Sequence, residues 1–465
     1  MKNKKTIFLG ITHGWHARML LRTSFIDNLK KGNDYNIVVL SENADEVEFQ
    51  REFGNDLIYK KISNQGGFLW TFTNHIRRNL SLDSRLTKTI KLRIEATKSS
   101  RPISYIIIKI LNKLFSISLL AVKVVRVLDH ILFPDKNYKS IFKEFEPDLL
   151  VISSVVHNQG YYLLRCASSL GVKSLFIVES WDNPTCKVNF FDYPNKYIVW
   201  NEFNRQELAY YCNIDENDIM LTGSSYHDIY ARKESFCSKE EFVKRYGLNI
   251  NKKIITIAAT MHELYPEFDL FIEELYKKCN NNYFGENCQI LIRPHPQTIT
   301  GYSLGKTKDD LNDYKIKYPN IFFDVPKIVS KVLPVDIHAG DILRLAEILY
   351  HSDLVISFLS SVTIDSCALD KPVIITGFNY DKNLSNKPTL RDRLNYIHHK
   401  KIISSGGIKV AYNFNDLNKY ITMYLNDPSI DKMNRLKLVE EQCYKVDGKS
   451  SERMANSIRE YINTI

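Results

Sequence analysis

The sequence lacks the motifs that would assign it at once to a common enzyme class. Its eight cysteines include no CxxC pair, so neither a zinc ribbon nor a thioredoxin-type site is expected, and a reducing cytoplasm fits best. GYSLGKT, at 301–307, has three residues between its glycines where a phosphate-binding P-loop needs four. There is no GxSxG, no HExxH and no DxD of the metal-dependent sugar transferases. We therefore expect neither a metal ion nor a bound cofactor.

Long hydrophobic runs are also lacking. The apolar part of the amino terminus is only TIFLGIT, which is too short for a signal peptide and is typical of a first strand. The most apolar stretch, Arg101 to Phe133, has no uncharged run longer than Leu114 to Val122. That run is far short of the roughly 20 residues that cross a bilayer.

Acidic residues are nearly absent between Lys60 and Arg126, a block with 14 Lys or Arg and only two acidic residues. The block therefore carries a charge of +12 and the rest of the chain −2, which gives the total of +10. On a helical projection Lys109, Lys113 and Lys123 fall within about 80° of one another, with Arg126 beside them and apolar faces elsewhere. This pattern predicts that a segment at about 60–133 lies on the anionic inner face of the plasma membrane. The alternative is a core helix whose lysines reach solvent. Nucleic acid is not an expected partner, because the block has no recognised binding motif.

The chain is too long, at 465 residues, for one compact core, and two domains are expected. Short β-rich runs alternate with helical stretches in both halves, which predicts an α/β protein with two doubly wound parallel sheets. A polar helical stretch begins near Tyr230, so we place the boundary near Lys233, giving domains 1–233 and 234–465. The runs predicted as strands are KTIFLGIT, YNIVVLSE, DLLVISSVV, KSLFIVES, KYIVWNE and DIMLTGSS in the first half, then KKIITIAAT, QILIRPHP, NIFFDVP, DLVISFLSS and KPVIITGF.

Ligands of open parallel sheets bind at the carboxyl ends of the strands. After DLVISF, a turn with Ser360, Ser361 and Thr363 begins a helix and offers hydroxyl groups to a phosphate. Asp365, in the first turn of that helix, is placed to bind a ribose. Ordinary helix capping explains the same residues equally simply.

Two further strand ends in the second half carry candidates for donor binding. In RPHP the prolines restrict the backbone and direct Arg293 and His295, which would neutralise or protonate a diphosphate leaving group. The alternative for His295 is a hydrogen bond to a buried carbonyl. Thr260 and His262 follow the strand KKIITIAAT and are candidates for the same site.

The first half carries the candidates for activating and binding an acceptor. The candidates for a catalytic base are two histidines of the first strand's loop and two carboxylates of VESWDNPTCK: His13, His16, Glu179 and Asp182. Gly14, Arg18 and Asn183 are acceptor-binding candidates, and Trp181 offers a flat surface for a sugar ring. Gly223 and Ser224, with His227 nearby, precede the expected linker and are candidates on the donor side, although a turn needs Gly and Ser in any case.

Taken together, RPHP, DLVISFLSSVTIDSCALDKPVI and DGKSSERM resemble the GT-B glycosyltransferases of bacterial surface polysaccharide synthesis and their relatives, the CDP-glycerol glycerophosphotransferases. SWDN and the stretch from Trp200 to Asp228 extend the likeness into the first half. The resemblance implies two Rossmann-like domains facing a central cleft, with the donor in the second and the acceptor in the first. Many retaining members have a glutamate where Asp365 stands, and the shorter Asp is closer to the glycerophosphotransferase pattern.

The resemblance implies a cytoplasmic, peripheral membrane glycosyltransferase that moves a sugar from a nucleotide-sugar to a lipid-linked or growing surface polysaccharide, such as capsule or lipopolysaccharide. The alternative is a CDP-polyol phosphotransferase of the teichoic-acid type. A sugar-nucleotide epimerase of the same fold and an inactive membrane-bound assembly scaffold are further alternatives.

Overall fold

The structure is a computed structural model that divides into two compact units. The first comprises residues 1–226, 332–336 and 449–465, and the second comprises 227–331 and 337–448. The main division thus lies at Tyr226, seven residues before Lys233, and the last helix groups with the first unit although the sequence placed it in the second domain. The described residues are 4–32, 34–63, 70–71, 74, 87–115, 124, 127–129, 131–132, 136–155, 158–186, 190, 192–261, 264–285, 288–299, 316–330, 333, 335–380 and 389–465.

The first unit is built on a seven-stranded parallel sheet in the order β3-β2-β1-β4-β5-β6-β7. Its strands are β1 Lys5–Ile11, β2 Tyr35–Ser41, β3 Ile58–Lys61, β4 Leu149–Ile152, β5 Lys173–Ile177, β6 Lys196–Val199 and β7 Ile219–Leu221. The chain proceeds outward in one direction from β1 to β3 and in the other from β4 to β7. The direction therefore reverses between β1 and β4, where open α/β sheets bind ligands.

Helices cover this sheet, and its central strands are buried because apolar side chains extend to both faces. The helices are α1 Gly14–His16, α2 Ser24–Lys30, α3 Val47–Phe53, α4 Lys88–Ser100, α5 Pro102–Phe115, α6 Lys136–Phe145, α7 Asn158–Leu170, α8 Asn183–Cys186 and α9 Glu202–Cys212, together with a π-helical turn at Ala17–Leu21.

The carboxyl-terminal helix, α19 (Ser450–Thr464), completes the core of the first unit. Met454, Ala455, Ile458 and Ile462 lie on one face of it and are buried with residues of β1 and α2. Lys5 Nζ donates to the carbonyl of Ile462 over 2.7 Å. These contacts explain why the helix belongs to a unit more than 200 residues away in sequence.

The second unit has a six-stranded parallel sheet in the order β10-β9-β8-β13-β14-β15, and its direction reverses between β8 and β13. Its strands are β8 Lys253–Ala258, β9 Cys288–Arg293, β10 Ile321–Phe323, β13 Leu354–Ser357, β14 Val373–Thr376 and β15 Lys409–Ala411. β11 Ile328–Ser330 and β12 Asp336–Ile337 form a separate two-stranded ribbon, and the division of the chain after residue 336 falls within β12. The α/β class with two doubly wound parallel sheets, predicted from the sequence, is confirmed.

The helices of the second unit follow local sequence signals. α10 begins with a capping box between Ser238 and Glu241 and ends at Gly247, whose φ of 72° suits glycine. The helices are α10 Lys239–Tyr246, α11 Phe268–Asn280, α12 Pro296–Ile299, α13 Asp341–His351, α14 Val362–Ala368, α15 Leu390–Arg393, α16 Ile397–Ser404, α17 Phe414–Asn426 and α18 Lys432–Cys443.

The described part of the basic segment contains α4 and α5, and it places Lys109 and Lys113 at exposed positions of α5. Lys123 and Arg126, which complete the predicted basic face, lie outside the described residues. Within the described part of the chain, no helix is long and apolar enough to span a membrane.

Candidate functional site

In the second unit, three neighbouring strands end in the loops that carry the predicted donor-binding residues. β9, β8 and β13 lie side by side, and they are followed by His295, Thr260 and Ser360 respectively. Because all three strands are parallel, their carboxyl ends meet at one edge of the sheet, next to the reversal between β8 and β13. The sheet therefore brings these three loops together. His262 lies outside the described residues.

His295 has a fixed tautomer and a low pKa. The backbone N–H of Gln297 donates to its Nδ1 over 3.2 Å, so the neutral ring carries its proton on Nε2. Burial, helped by the charge of Arg293, lowers the pKa of His295 to about 4. Among the described residues no hydrogen-bond partner of Nε2 is seen. At neutral pH His295 is thus an uncharged N–H donor rather than a cation.

Arg293 is held by carboxylates of its own unit. Its Nη2 donates to both oxygens of Asp341, at 2.8 and 2.7 Å, and its Nη1 donates to Asp324. The side chains of all three residues are at most 7% exposed, and Arg344 also contacts Asp324. Two carboxylates neutralise the guanidinium, so the geometry gives Arg293 the role of holding the RPHP turn. Direct binding of a phosphate by Arg293 remains a prediction.

The Ser-rich turn after β13 contains a residue in the left-handed region, Leu359, with a φ of 56°. Such a conformation is uncommon for a leucine and marks a tight strand-to-helix turn. Ser360 and Ser361 are partly exposed there, and the Ser360 hydroxyl accepts from the backbone N–H of Val362. Thr363 is fully buried, and its hydroxyl donates to Ser357 over 3.1 Å. Of the three hydroxyl side chains, the two serines therefore keep surface for a ligand.

Asp365 lies in the interior with His227. Asp365 is 1% exposed, and its Oδ1 lies 3.8 Å from Nε2 of His227, which is also 1% exposed. Burial lowers the pKa of His227 to about 4. A ribose could contact Asp365, as predicted, only through the 1% of its surface that is exposed.

In the first unit, the edge at the reversal carries a chain of hydrogen bonds. The backbone N–H of Thr12, beyond β1, donates to Nδ1 of His16 over 3.2 Å, so the His16 proton is on Nε2. Nε2 donates to Oε2 of Glu179, beyond β5, over 2.6 Å. The His16 side chain is fully buried and that of Glu179 is 10% exposed. His16 therefore orients the carboxylate of Glu179, and neither of its ring nitrogens remains to accept a substrate proton.

His13 and Gly14 have structural contacts in the same loop. The backbone N–H of Trp15 donates to Nδ1 of His13 over 3.2 Å, so this ring too carries its proton on Nε2. A Cβ on Gly14 would lie 2.2 Å from the carbonyl oxygen of Val335, so close backbone packing explains this glycine. Arg18 is buried and stacks over the ring of Tyr226.

The remaining predicted residues of the first unit differ in exposure. Asp182 is partly exposed and accepts from the Ser180 hydroxyl over 2.6 Å. Trp181 is 6% exposed, which leaves little ring surface for a sugar. Three others are buried: Asn183 is 1% exposed, Ser224 is fully buried, and Gly223, which is also buried, has a φ of 81°.

Sequence reasoning did not identify the residues that hold these candidates in place. Asp324 follows β10, the neighbour of β9, and Asp341 begins α13. Asp324 comes directly after β10, and β10 pairs with β9, the strand that ends at Arg293. A carboxylate in that position is a sequence signal that could have identified Asp324. Thr12 acts through its backbone, which no side-chain pattern reveals.

Comparison with known proteins gives the family. Residues 178–460 match the family described as CDP-Glycerol:Poly(glycerophosphate) glycerophosphotransferase. A teichoic acid poly(ribitol-phosphate) polymerase of Bacillus spizizenii is 22% identical over 276 residues, which cover 57% of this chain and 37% of that protein. This chain thus matches well under half of the length of that relative.

Solved structures show the fold. The Staphylococcus aureus MnaA–UDP co-structure superposes with a TM-score of 0.56 at 11% identity, covering 99% of this chain and 98% of that one. A glycosyltransferase from Rickettsia africae has a TM-score of 0.54 at 13% identity, with 99% of each chain covered. These similarities confirm the predicted GT-B fold. Because the family match covers more than half of its residues, the chain belongs to the CDP-Glycerol:Poly(glycerophosphate) glycerophosphotransferase family.

Proposed function

We propose that the protein transfers a polyol phosphate from a CDP-linked polyol to a hydroxyl group of a lipid-linked or growing polyol-phosphate polymer, as in teichoic acid synthesis. The family match from residue 178 to 460 carries this proposal. It includes RPHP, the Ser-rich turn and both candidate carboxylates. Transfer of a sugar, the first choice on sequence alone, uses the same fold, but the family favours transfer of a phosphate.

The proposed reaction is a displacement at phosphorus. The acceptor hydroxyl oxygen forms a bond to the phosphorus that bears the polyol, the phosphoanhydride bond breaks, and CMP leaves. The hydroxyl proton passes to a base. Negative charge grows on the leaving oxygen of CMP, so hydrogen-bond donors aimed at that oxygen accelerate the step.

We assign the donor to the second unit. The Nε2–H of His295 and the hydroxyls of Ser360 and Ser361 lie in loops at one edge of the sheet, and Thr260 lies in the loop between them. Neutral donors suit this task because they bind an oxyanion without requiring a proton from solvent. The low pKa of His295 keeps it in that form across the neutral range.

We assign the base to a carboxylate of the first unit, Glu179 or Asp182. The Nδ1 atoms of His13 and His16 accept hydrogen bonds from backbone N–H groups, so their rings present no lone pair to a hydroxyl. The two carboxylates are partly exposed and accept hydrogen bonds from His16 and Ser180. A carboxylate that a neighbouring group orients can take the proton of a hydroxyl as a general base.

The nucleotide released from a panel of donors tests the proposed reaction. The protein is incubated with CDP-glycerol, CDP-ribitol and a panel of UDP- and GDP-sugars, and the released nucleotide is identified by chromatography. We expect release of CMP from a CDP-polyol. Release of UDP or GDP from a sugar donor would instead establish glycosyl transfer. Thermal shift with CMP, CDP, UDP and GDP gives a second measurement, since bound nucleotide raises the melting temperature. No shift with any of them would favour the inactive scaffold.

His295→Ala tests the donor site, and we expect it to abolish the nucleotide-induced shift. His338 is the matched control, because its Nδ1 accepts a backbone N–H from Gly340 in the same way, but it is exposed and follows β12 of the two-stranded ribbon rather than a strand of the six-stranded sheet. His338→Ala should keep the full shift. Equal shifts in both variants would contradict the assignment of His295.

A further inference from the structure

Trp15 is the one exposed residue in an otherwise buried stretch of the first unit. Every residue from Thr6 to Leu21 is buried except Trp15, which is 36% exposed. All four tryptophans lie in the described part of the chain, and the other three are at most 6% exposed, namely Trp70, Trp181 and Trp200. Single exposed apolar residues are common on protein surfaces, so the place and the contacts of this indole decide what it does.

Trp15 lies at the edge of the sheet that carries a candidate base. It follows β1, which borders the reversal of the sheet, and Glu179 follows β5 at the same edge. The next residue, His16, donates to the Glu179 carboxylate over 2.6 Å. Open parallel sheets bind their ligands at this edge. A molecule that contacts the indole is therefore bound where the first unit presents a carboxylate to an acceptor.

Two contacts hold Trp15 in place. Its backbone N–H donates to Nδ1 of His13 over 3.2 Å, which fixes the backbone at the start of α1. The guanidinium of Arg18 lies over the indole, with Cζ 5.4 Å from the ring centroid. Arg18 is 5% exposed, and its Nη2 donates to the Tyr226 hydroxyl over 3.2 Å. The indole thus has a buried cation against its ring and an exposed part toward solvent, and a ligand need not order it on binding.

The chemistry of the indole selects among acceptors. The face of its π system is negative and attracts the positively polarised C–H bonds that form one face of a pyranose ring. An open-chain polyol phosphate has no rigid C–H face, and its phosphates would need an exposed cation. Arg18, the basic residue of this loop, is buried and contacts two aromatic rings instead. An exposed indole therefore suits a sugar ring better than a polyol-phosphate chain.

We propose that Trp15 is the stacking surface for a pyranose ring of the acceptor, so that the acceptor end bound by this protein is a sugar rather than a bare polyol-phosphate chain. The sequence alone indicated Trp181 for such a contact, but Trp181 is only 6% exposed. The assignment rests on the proposed function, because it names the acceptor of that transfer. Trp15 sets specificity, and the proton passes to a carboxylate as before.

Quenching of tryptophan fluorescence by iodide tests the contact without a donor. Iodide reaches exposed indoles, so Trp15→Phe should remove most of the quenching, whereas Trp200→Phe, at a position that is 5% exposed, should keep it. The wild-type chain is then titrated with methyl pyranosides of glucose, galactose, mannose and N-acetylglucosamine, and with glycerol 1-phosphate and ribitol 5-phosphate at equal ionic strength. We expect a pyranoside to lower the Stern–Volmer constant at least about twofold, because a stacked ring covers the indole, and the polyol phosphates to leave it unchanged.

Steady-state kinetics separates binding from a structural role. Trp15→Ala should raise the KM for a pyranose-terminated acceptor about tenfold or more, because it removes the aromatic contact, while kcat changes less than about threefold. Trp15→Tyr should recover most of the lost affinity, since it keeps an aromatic face. An unchanged thermal midpoint shows that both variants remain folded.

Three results would overturn the sugar assignment: no protection by any pyranoside, equal protection by the polyol phosphates, and an unchanged KM in Trp15→Ala. Failure of the proposed transfer is a separate outcome. If a pyranoside protects Trp15 but no CDP-polyol releases CMP, the transfer is wrong and the sugar site stands. If CMP is released with a polyol phosphate as acceptor and Trp15→Ala changes nothing, the transfer stands and the sugar site is wrong.

Discussion

Each unit has a histidine just beyond a buried strand whose Nδ1 accepts a hydrogen bond from the backbone N–H two residues later. His13 does so with Trp15 in the first unit, and His295 does so with Gln297 in the second, both at 3.2 Å. In each case the backbone fixes the tautomer and leaves the proton on Nε2. The same local geometry thus supplies two imidazoles that act as N–H donors when neutral.

The surroundings of the two histidines differ. His295 lies two residues from Arg293, whose charge adds to burial in lowering the pKa of the imidazole. His13 lies beside His16, with ring centroids 6.1 Å apart, and His16 donates to the carboxylate of Glu179. The second unit therefore combines an uncharged imidazole donor with an arginine that is paired to carboxylates, whereas the first combines imidazole N–H donors with a partly exposed carboxylate. We expect uncharged N–H donors where the phosphates of a donor bind, in the second unit, and a carboxylate where a general base acts, in the first.

The largest effect should come from removing the base. We expect Glu179→Gln or Asp182→Asn, whichever residue is the base, to lower kcat by about 10² to 10⁴, since general bases contribute that much. His13→Gln should lower kcat less than about tenfold, because its ring supplies no lone pair. The measurement is the rate of CMP release at saturating donor, as a function of pH. If His13→Gln lost the most activity and both carboxylate variants kept theirs, the contrast between the units would be wrong.

The next effect concerns Arg293 as a structural cation. Arg293→Met leaves Asp341 buried without its partner, so we expect the free energy of unfolding of the second unit to fall by about 3 to 5 kcal/mol in urea. Arg344→Met is the matched control, because Arg344 contacts the same Asp324 from a side chain that is 36% exposed, and it should cost about 1 kcal/mol or less.

The opposite outcome for Arg293 would also be informative. If Arg293→Met kept its stability but lost the nucleotide-induced thermal shift, the guanidinium would bind the donor directly. A double variant, Arg293→Met with Asp341→Leu, should recover part of the lost stability, since it removes the uncompensated carboxylate as well.

Much of the fold could be predicted because buried parallel strands appear in the sequence as continuous apolar runs. Every run proposed as a strand contains one, including β9 in QILIRPHP and β13 in DLVISFLSS. The edge strands β3 and β15 were missed, because β3 is partly exposed along IYKK and β15 has only three residues. The sequence also did not predict that α19 packs in the first unit, because an apolar helix face does not indicate which of two sheets it covers.

The site was predictable only at the level of loops. Strand ends identified the loops of His295, Ser360 and His16, because parallel strands bring their carboxyl ends to one edge. Which side chains stay exposed depends on contacts far apart in sequence. Arg293 meets Asp341 48 residues later, and His16 meets Glu179 163 residues later. No local pattern contains that information.

The smallest of these effects tests the buried His227 beside Asp365. Burial lowers the pKa of His227 from 6.5 to about 4, so the unfolded chain takes up a proton first as the pH falls. The stability is therefore fully present above about pH 6.5 and decreases toward pH 4, by up to about 3 kcal/mol from this group. His227→Gln should remove that part of the loss, which urea unfolding at pH 7, 6 and 5 would measure. If the variant instead became relatively less stable in acid, the Asp365 carboxylate, 3.8 Å away, would be stabilising an imidazolium, and the interior of the second unit would hold an ion pair rather than a neutral ring.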